Sequence, residues 1–126
     1  MSGGARVQVL DPGAELPLVE GEGSARVLVG PATGATMRSF HRISLAAGAR
    51  TVVQRHPMEA VYYVIAGEAR AVDPDDGSSQ PLVEGSFVHV DAGTAYRFEA
   101  GAAGTELVGG PCPPDPALYA ALEGGV

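Results

Sequence analysis

Gly48-Ala49-Arg50-Thr51-Val52-Val53-Gln54-Arg55-His56-Pro57-Met58-Glu59-Ala60-Val61-Tyr62-Tyr63-Val64-Ile65-Ala66-Gly67-Glu68 is the stretch on which the reading of this 126-residue chain turns. Its second half, Val61–Ile65, is an unbroken run of β-branched and aromatic residues bounded by Pro57 on one side and Ala66-Gly67 on the other. Such a run reads as a strand that is apolar on both faces. One face then looks into a barrel, and the other needs a second layer. Either the N-terminal segment or a second copy of the chain can supply that layer, and the second choice makes the protein a homodimer.

Outward from this stretch the same texture recurs. Short β-leaning runs occupy Arg6–Leu10, Ala25–Val29, Met37–Leu45, Thr51–Gln54, Ala60–Ile65, Ala69–Val72, Phe87–Val90, Ala95–Glu99 and Thr105–Val108. Turn signals separate them, among them Ala46-Ala47-Gly48, Ala66-Gly67, Asp73-Pro74-Asp75-Asp76-Gly77 and Asp91-Ala92-Gly93. Regular short strands with turns at this spacing predict an all-β sandwich or barrel. One stretch is helical by pattern. In the C-terminal segment 111–126, Asp115 can cap, Pro116 suits the first helical position, Ala117–Glu123 are mostly good helix formers, and Gly124 ends the run.

Composition narrows the function. The length suits one domain over 1–126, with 1–4 as a loose tail. A net charge of −7 argues against nucleic acid and anionic membrane surfaces as partners. No apolar run is long enough to cross a bilayer, and no secretory signal is read at the N-terminus, so the expected location is cytoplasmic. All 8 basic residues are arginine, which removes lysine Schiff-base chemistry. Cys112 is single and has no base in its sequence neighbourhood, so it reads as a bystander. The acidic loop Asp73–Gly77 with Glu84 misplaces the glycine of a calcium-binding loop and reads as a polar hairpin.

Gly48–Glu68 resembles the first conserved cupin motif, which runs glycine, five residues, histidine, one residue, histidine, three or four residues, glutamate, six residues, glycine. Gly85-Ser86-Phe87-Val88-His89-Val90-Asp91-Ala92-Gly93-Thr94-Ala95-Tyr96 is similar to the second motif, and Gly109–Tyr119 to the ending of many small bacterial cupins. The resemblance covers roughly residues 37–119. It implies a cupin double-stranded β-helix, a jelly-roll barrel, with a short C-terminal helix against its wall.

In that family four side chains from three strands converge on one metal ion. Residues two apart on a strand point the same way, so positions 54 and 56 go together, with 60 and 96 from neighbouring strands. Here Gln54 stands at the first histidine position and His56 keeps the second. Ala60 holds the glutamate position with Glu59 beside it, Tyr96 replaces the last histidine, and Asp91 replaces a proline. The resemblance therefore leaves two expectations open. One is a metal site of Gln54, His56, Glu59 and Tyr96 for a divalent first-row ion (Fe, Mn, Ni or Zn), which needs a bulge at Pro57-Met58 to turn Glu59 inward. The other is a metal-free pocket.

In either case His56 is the expected ligand or general base, Tyr96 the general acid or oxyanion donor, and Gln54 an orienting amide. Glu59 or His41 is the expected partner, His41 because Met37, Ser39, His41, Ile43 and Leu45 share one face of a strand. A histidine on such a face is also a common hydrogen-bonded core residue. Tyr62, Phe98, Met37 and His89 are the expected substrate-lining residues, with plain barrel core as the alternative for Phe98 and the surface for His89. The implied function is a small-molecule enzyme, an isomerase, cyclase, lyase or oxygenase step of secondary metabolism. The alternative is a non-catalytic ligand-binding cupin.

Overall fold

The structure, a computed structural model, describes residues 6–124. The Val61–Ile65 run is the middle of a much longer strand, Glu59–Val72, numbered β5 below. Before it come β1 (Val19–Glu20), β2 (Gly23–Val29), a 3-10 turn at Pro31–Thr33, β3 (Phe40–Leu45) and β4 (Arg50–Thr51). After it come β6 (Ser79–Val83), β7 (Phe87–Val90), β8 (Arg97–Cys112) and the helix α1 (Pro116–Gly124). All pairings are antiparallel and form one sheet, rolled into a nearly closed jelly-roll barrel. β8 is its hub, pairing with β3 through residues 105–109 and with β5 along most of its length.

One expected turn is not a turn. Ala66-Gly67 lies inside β5, where the register against β8 slips between Val64 and Ala66 and again between Gly67 and Ala69. Gly67 has a φ of 79°, and a Cβ there would lie 2.2 Å from the Gly104 carbonyl oxygen. Glycine lets the strand bulge and bend around the barrel where another residue would break the ladder. The runs 95–99 and 105–108 likewise belong largely to the single bent strand β8. The Arg6–Leu10 run is in no strand, and its Val7 and Val9 are exposed.

Inward-facing positions follow the period of two. Ala60, Tyr62 and Val64 of β5 are buried while Glu59 and Val61 are exposed. His41, Ile43 and Leu45 are buried together along β3, and Ser39 just before it keeps the same parity, as the pattern predicts. Met37 is not with them. It is 73 % exposed, because the chain bends at Thr36-Met37 and alternation reaches back from β3 only as far as Ser39.

The N-terminal segment runs beside β2, with Gly13 donating to the Val27 carbonyl at 2.8 Å and Leu16 and Leu18 entering the core. It leaves the outer face of β5 and β7 uncovered, where Val61 and Phe87 (73 % exposed) stay open. No helix among the described residues is long and apolar enough to cross a membrane.

Candidate functional site

The segment 52–58 carries two inward residues because its backbone is pinned to the strand opposite. Gln54 and Tyr96 exchange backbone hydrogen bonds of 2.8 and 2.9 Å across an isolated bridge. The Gly93 amide donates to the His56 carbonyl at 2.7 Å, and Arg55, facing solvent, donates to the Gly93 carbonyl at 2.6 Å. With Arg55 held outward, Gln54 and His56 turn into the barrel, where both are buried.

His56 is held at both ring nitrogens. Nδ1 lies 2.6 Å from Asp115 Oδ2, and Nε2 lies 3.1 Å from Gln54 Oε1. Asp115 is itself buried, and its other oxygen accepts the Ala117 amide at 3.0 Å as the cap of α1. A protonated ring donates to both Asp115 and Gln54. When the ring is neutral, the isosteric amide turned end for end donates to the Nε2 lone pair instead. Gln54 can therefore serve either protonation state, while Asp115 fixes the ring.

Across the interior the Tyr62 and Tyr96 hydroxyls meet at 2.5 Å. Burial pushes both phenols well above their ordinary range, so both act as hydrogen-bond donors and not as phenolates. Phe98 stacks edge-on against both rings, with centroids 4.8 Å from Tyr62 and 5.7 Å from Tyr96, and the His56 ring lies 6.0 Å from Tyr96. A cleft of about 210 Å³ reaches this cluster from outside, lined by Val88, Val90, Thr94 and Ala95, with Tyr96 and Phe98 buried at its inner wall.

A second histidine sits deeper. His41 on β3 is fully buried, and its Nε2 lies 2.7 Å from the Tyr119 hydroxyl on α1. Burial first, and the charge of His56 second, push its pKa down to about 4. The short C-terminal helix thus supplies the partners of both interior histidines.

Of the residues expected at the site, Gln54, His56, Tyr96, Tyr62 and Phe98 come together, with His41 close enough to feel His56. His89 stands at the mouth of the cleft, half-exposed, 3.1 Å from Glu59. Met37 lies on the surface. Glu59 also points outward, with its side chain 63 % exposed. The bulge that would turn it inward does not form, because β5 is already regular at Glu59 and places Ala60 inside. Asp115 and Tyr119 were missed as site residues. Asp115 was legible as a helix cap, but its second oxygen had no visible partner without the fold.

The donor set fits a resident metal poorly. Glu59 is outside, Ala60 offers no donor, and Tyr96 is a protonated phenol already bonded to Tyr62. Both nitrogens of His56 are engaged. Among the described residues no group of three or more His, Cys, Asp or Glu is placed to hold an ion.

Comparison with known proteins agrees with the fold. The cupin domain family model matches residues 41–107, and the chain belongs to that family. A cupin-like protein from Thermotoga maritima superposes with a TM-score of 0.69 at 17 % identity, covering 83 % of this chain and 80 % of its own. A predicted oxalate decarboxylase from the same organism gives 0.66 at 23 %, covering 82 % and 92 %. The polyketide cyclase RemF from Streptomyces resistomycificus gives 0.66 at 23 %, covering 93 % and 92 %. No curated protein matches the sequence.

Proposed function

We propose that the chain is a small-molecule enzyme that moves a proton inside the barrel, with His56 as the acid–base group. The observation that carries this reading is the buried 2.6 Å contact between His56 Nδ1 and Asp115. A buried carboxylate that holds one ring nitrogen fixes the ring's orientation and tautomer. Neutral His56 takes a proton from the substrate on Nε2, displacing Gln54, and returns it to another atom of the same molecule. Tyr96, with Tyr62 behind it, donates to the oxygen on which charge develops. Isomerisation, cyclisation or elimination beside a carbonyl fits these groups. One of the similar structures is a cyclase, but that likeness carries the fold alone, and the choice of reaction rests on the side chains here.

Deuterium uptake by acetophenone in D2O tests the reading. Wild-type protein should catalyse exchange of the methyl protons, and His56→Gln should reduce the rate by about 10²- to 10⁴-fold. Exchange that His56→Gln leaves unchanged would sink the assignment. Absence of exchange together with undiminished ligand binding by His56→Gln would favour the non-catalytic binding protein instead.

The uncovered face of β5 and β7 supports a homodimer as the working form. Val61 and Phe87 lie on it together, and the N-terminal segment packs elsewhere.

A further inference from the structure

Among the described residues two buried side-chain polar atoms have no partner within the protein: His41 Nδ1 and Gln54 Nε2. Polar atoms are rarely left so in a native interior, and such orphans mark places where something else is bound. Both belong to residues that flank His56. Gln54 touches it directly, and His41 lies within reach of its charge.

The tautomer of His41 decides what it can recognise. Its Nε2 faces the Tyr119 hydroxyl at 2.7 Å. Neighbouring Ser39 has committed its own proton to the Pro111 carbonyl, at 2.7 Å. Tyr119 is also in hydrogen-bond reach of Ser39, but an imidazole nitrogen accepts more strongly than a hydroxyl oxygen, so we assign the Tyr119 proton to the Nε2 lone pair and the ring proton to Nδ1. Burial keeps the ring neutral. The orphan at His41 is then an uncharged N–H donor. Gln54, in the orientation the structure records, turns its oxygen to His56 and presents its amide N–H as a second uncharged donor.

We propose that His41 Nδ1 and Gln54 Nε2 together hold one oxygen of the bound molecule, a carbonyl or carboxylate oxygen, with Tyr119 setting His41 as a neutral donor. The substrate class is accordingly a small oxo compound or organic acid. This rests on reading the barrel interior as a small-molecule site, but not on the proton transfer itself. Tyr119 acts through His41 and is a positioning residue. Gly110 belongs to the same arrangement: a Cβ there would lie 2.9 Å from Ser39 Oγ and 3.2 Å from His41 Nδ1, so only glycine leaves that edge of the ring undisturbed.

The test uses full-length protein labelled with ¹⁵N at histidine and three probes of one shape: benzoate, acetophenone and toluene. Wild-type His41 should show the Nδ1–H tautomer, and Tyr119→Phe should shift the ring toward Nε2–H. Benzoate and acetophenone should move the His41 Nδ1 resonance on titration, and toluene should not. Gln54→Leu should weaken acetophenone binding about tenfold, the loss of one hydrogen bond. An Nε2–H tautomer in the wild type, equal binding of all three probes, or no binding of either oxygen compound would each overturn the proposal. The wild-type tautomer needs no variant, so a misfolded mutant cannot obscure it. Exchange that His56→Gln leaves unchanged, with these shifts intact, would reject the acid–base reading and leave this one standing.

Discussion

Asp115 accepts from His56 with one carboxylate oxygen and from the Ala117 amide with the other, so a single side chain caps the helix and orients the interior base. The two roles can be separated. Asparagine is as good a cap as aspartate but carries no charge to stabilise an imidazolium. Asp115→Asn should therefore keep the helix and reduce proton exchange by about 10²-fold or more, read against far-UV circular dichroism of the same samples. Equal activity in Asp115→Asn would remove Asp115 from the mechanism.

Stability should fall on the acid side through His41. Its folded pKa, about 4, lies below the 6.5 of the free side chain, so the unfolded chain binds the proton more readily. Stability is then fully present above pH 6.5 and is lost as pH falls towards 4, by about 3 kcal/mol for this group. Urea unfolding at pH 7, 5.5 and 4 measures the slope, and His41→Gln should flatten it. An unchanged slope in that variant would place the acid sensitivity elsewhere.

The hydroxyl pair of Tyr62 and Tyr96 predicts non-additivity. Each single change to phenylalanine leaves one buried hydroxyl without its partner and should cost about 1–3 kcal/mol. Removing both leaves no orphan, so the double variant should be more stable than the sum of the singles by about 1 kcal/mol. Strict additivity in chemical denaturation would mean the 2.5 Å contact contributes nothing.

Two glycines of similar φ should respond very differently to alanine. Gly67 and Gly77 have φ values of 79° and 77°, but a Cβ at Gly67 meets the Gly104 carbonyl while one at Gly77 meets nothing within 4 Å. Gly77→Ala should cost about 1 kcal/mol, the conformational penalty alone. Gly67→Ala should cost more than about 3 kcal/mol, because β5 must shift against β8. Comparable melting temperatures for the two variants would contradict the bulge as the bending point.

Phe87→Glu tests the uncovered face. If a second copy covers it, a charge at this position should convert the dimer to monomer in light scattering, with the monomer still folded. A wild-type protein that is monomeric at tens of micromolar would dismiss the interface.

Most of the barrel was legible in the chain itself. Alternation over Ala60–Val64 and over Ser39–Leu45 assigned inner faces correctly, since a strand's period of two is a local property. The inward placement of Gln54, His56 and Tyr96 was legible through motif spacing around the glycines. Local rules failed where strand regularity began or ended. Met37 lay before the strand that would have aimed it, and an inward Glu59 needed a bulge that β5 does not make, so plain alternation held there. Ala66-Gly67 was punctuation in sequence but a bulge in space, because only pairing with β8 distinguishes a bend from an end.

Strand direction, inward parity and the helix cap were determined by the sequence alone, each depending on neighbours a few residues away. The partners of the two histidines were decided only by the tertiary structure. His56 and Asp115 are 59 residues apart, and His41 and Tyr119 are 78 apart. No local preference carries such pairings. They form because the closed barrel buries two imidazoles whose nitrogens need partners, and the helix that follows β8 brings a carboxylate and a phenol to them.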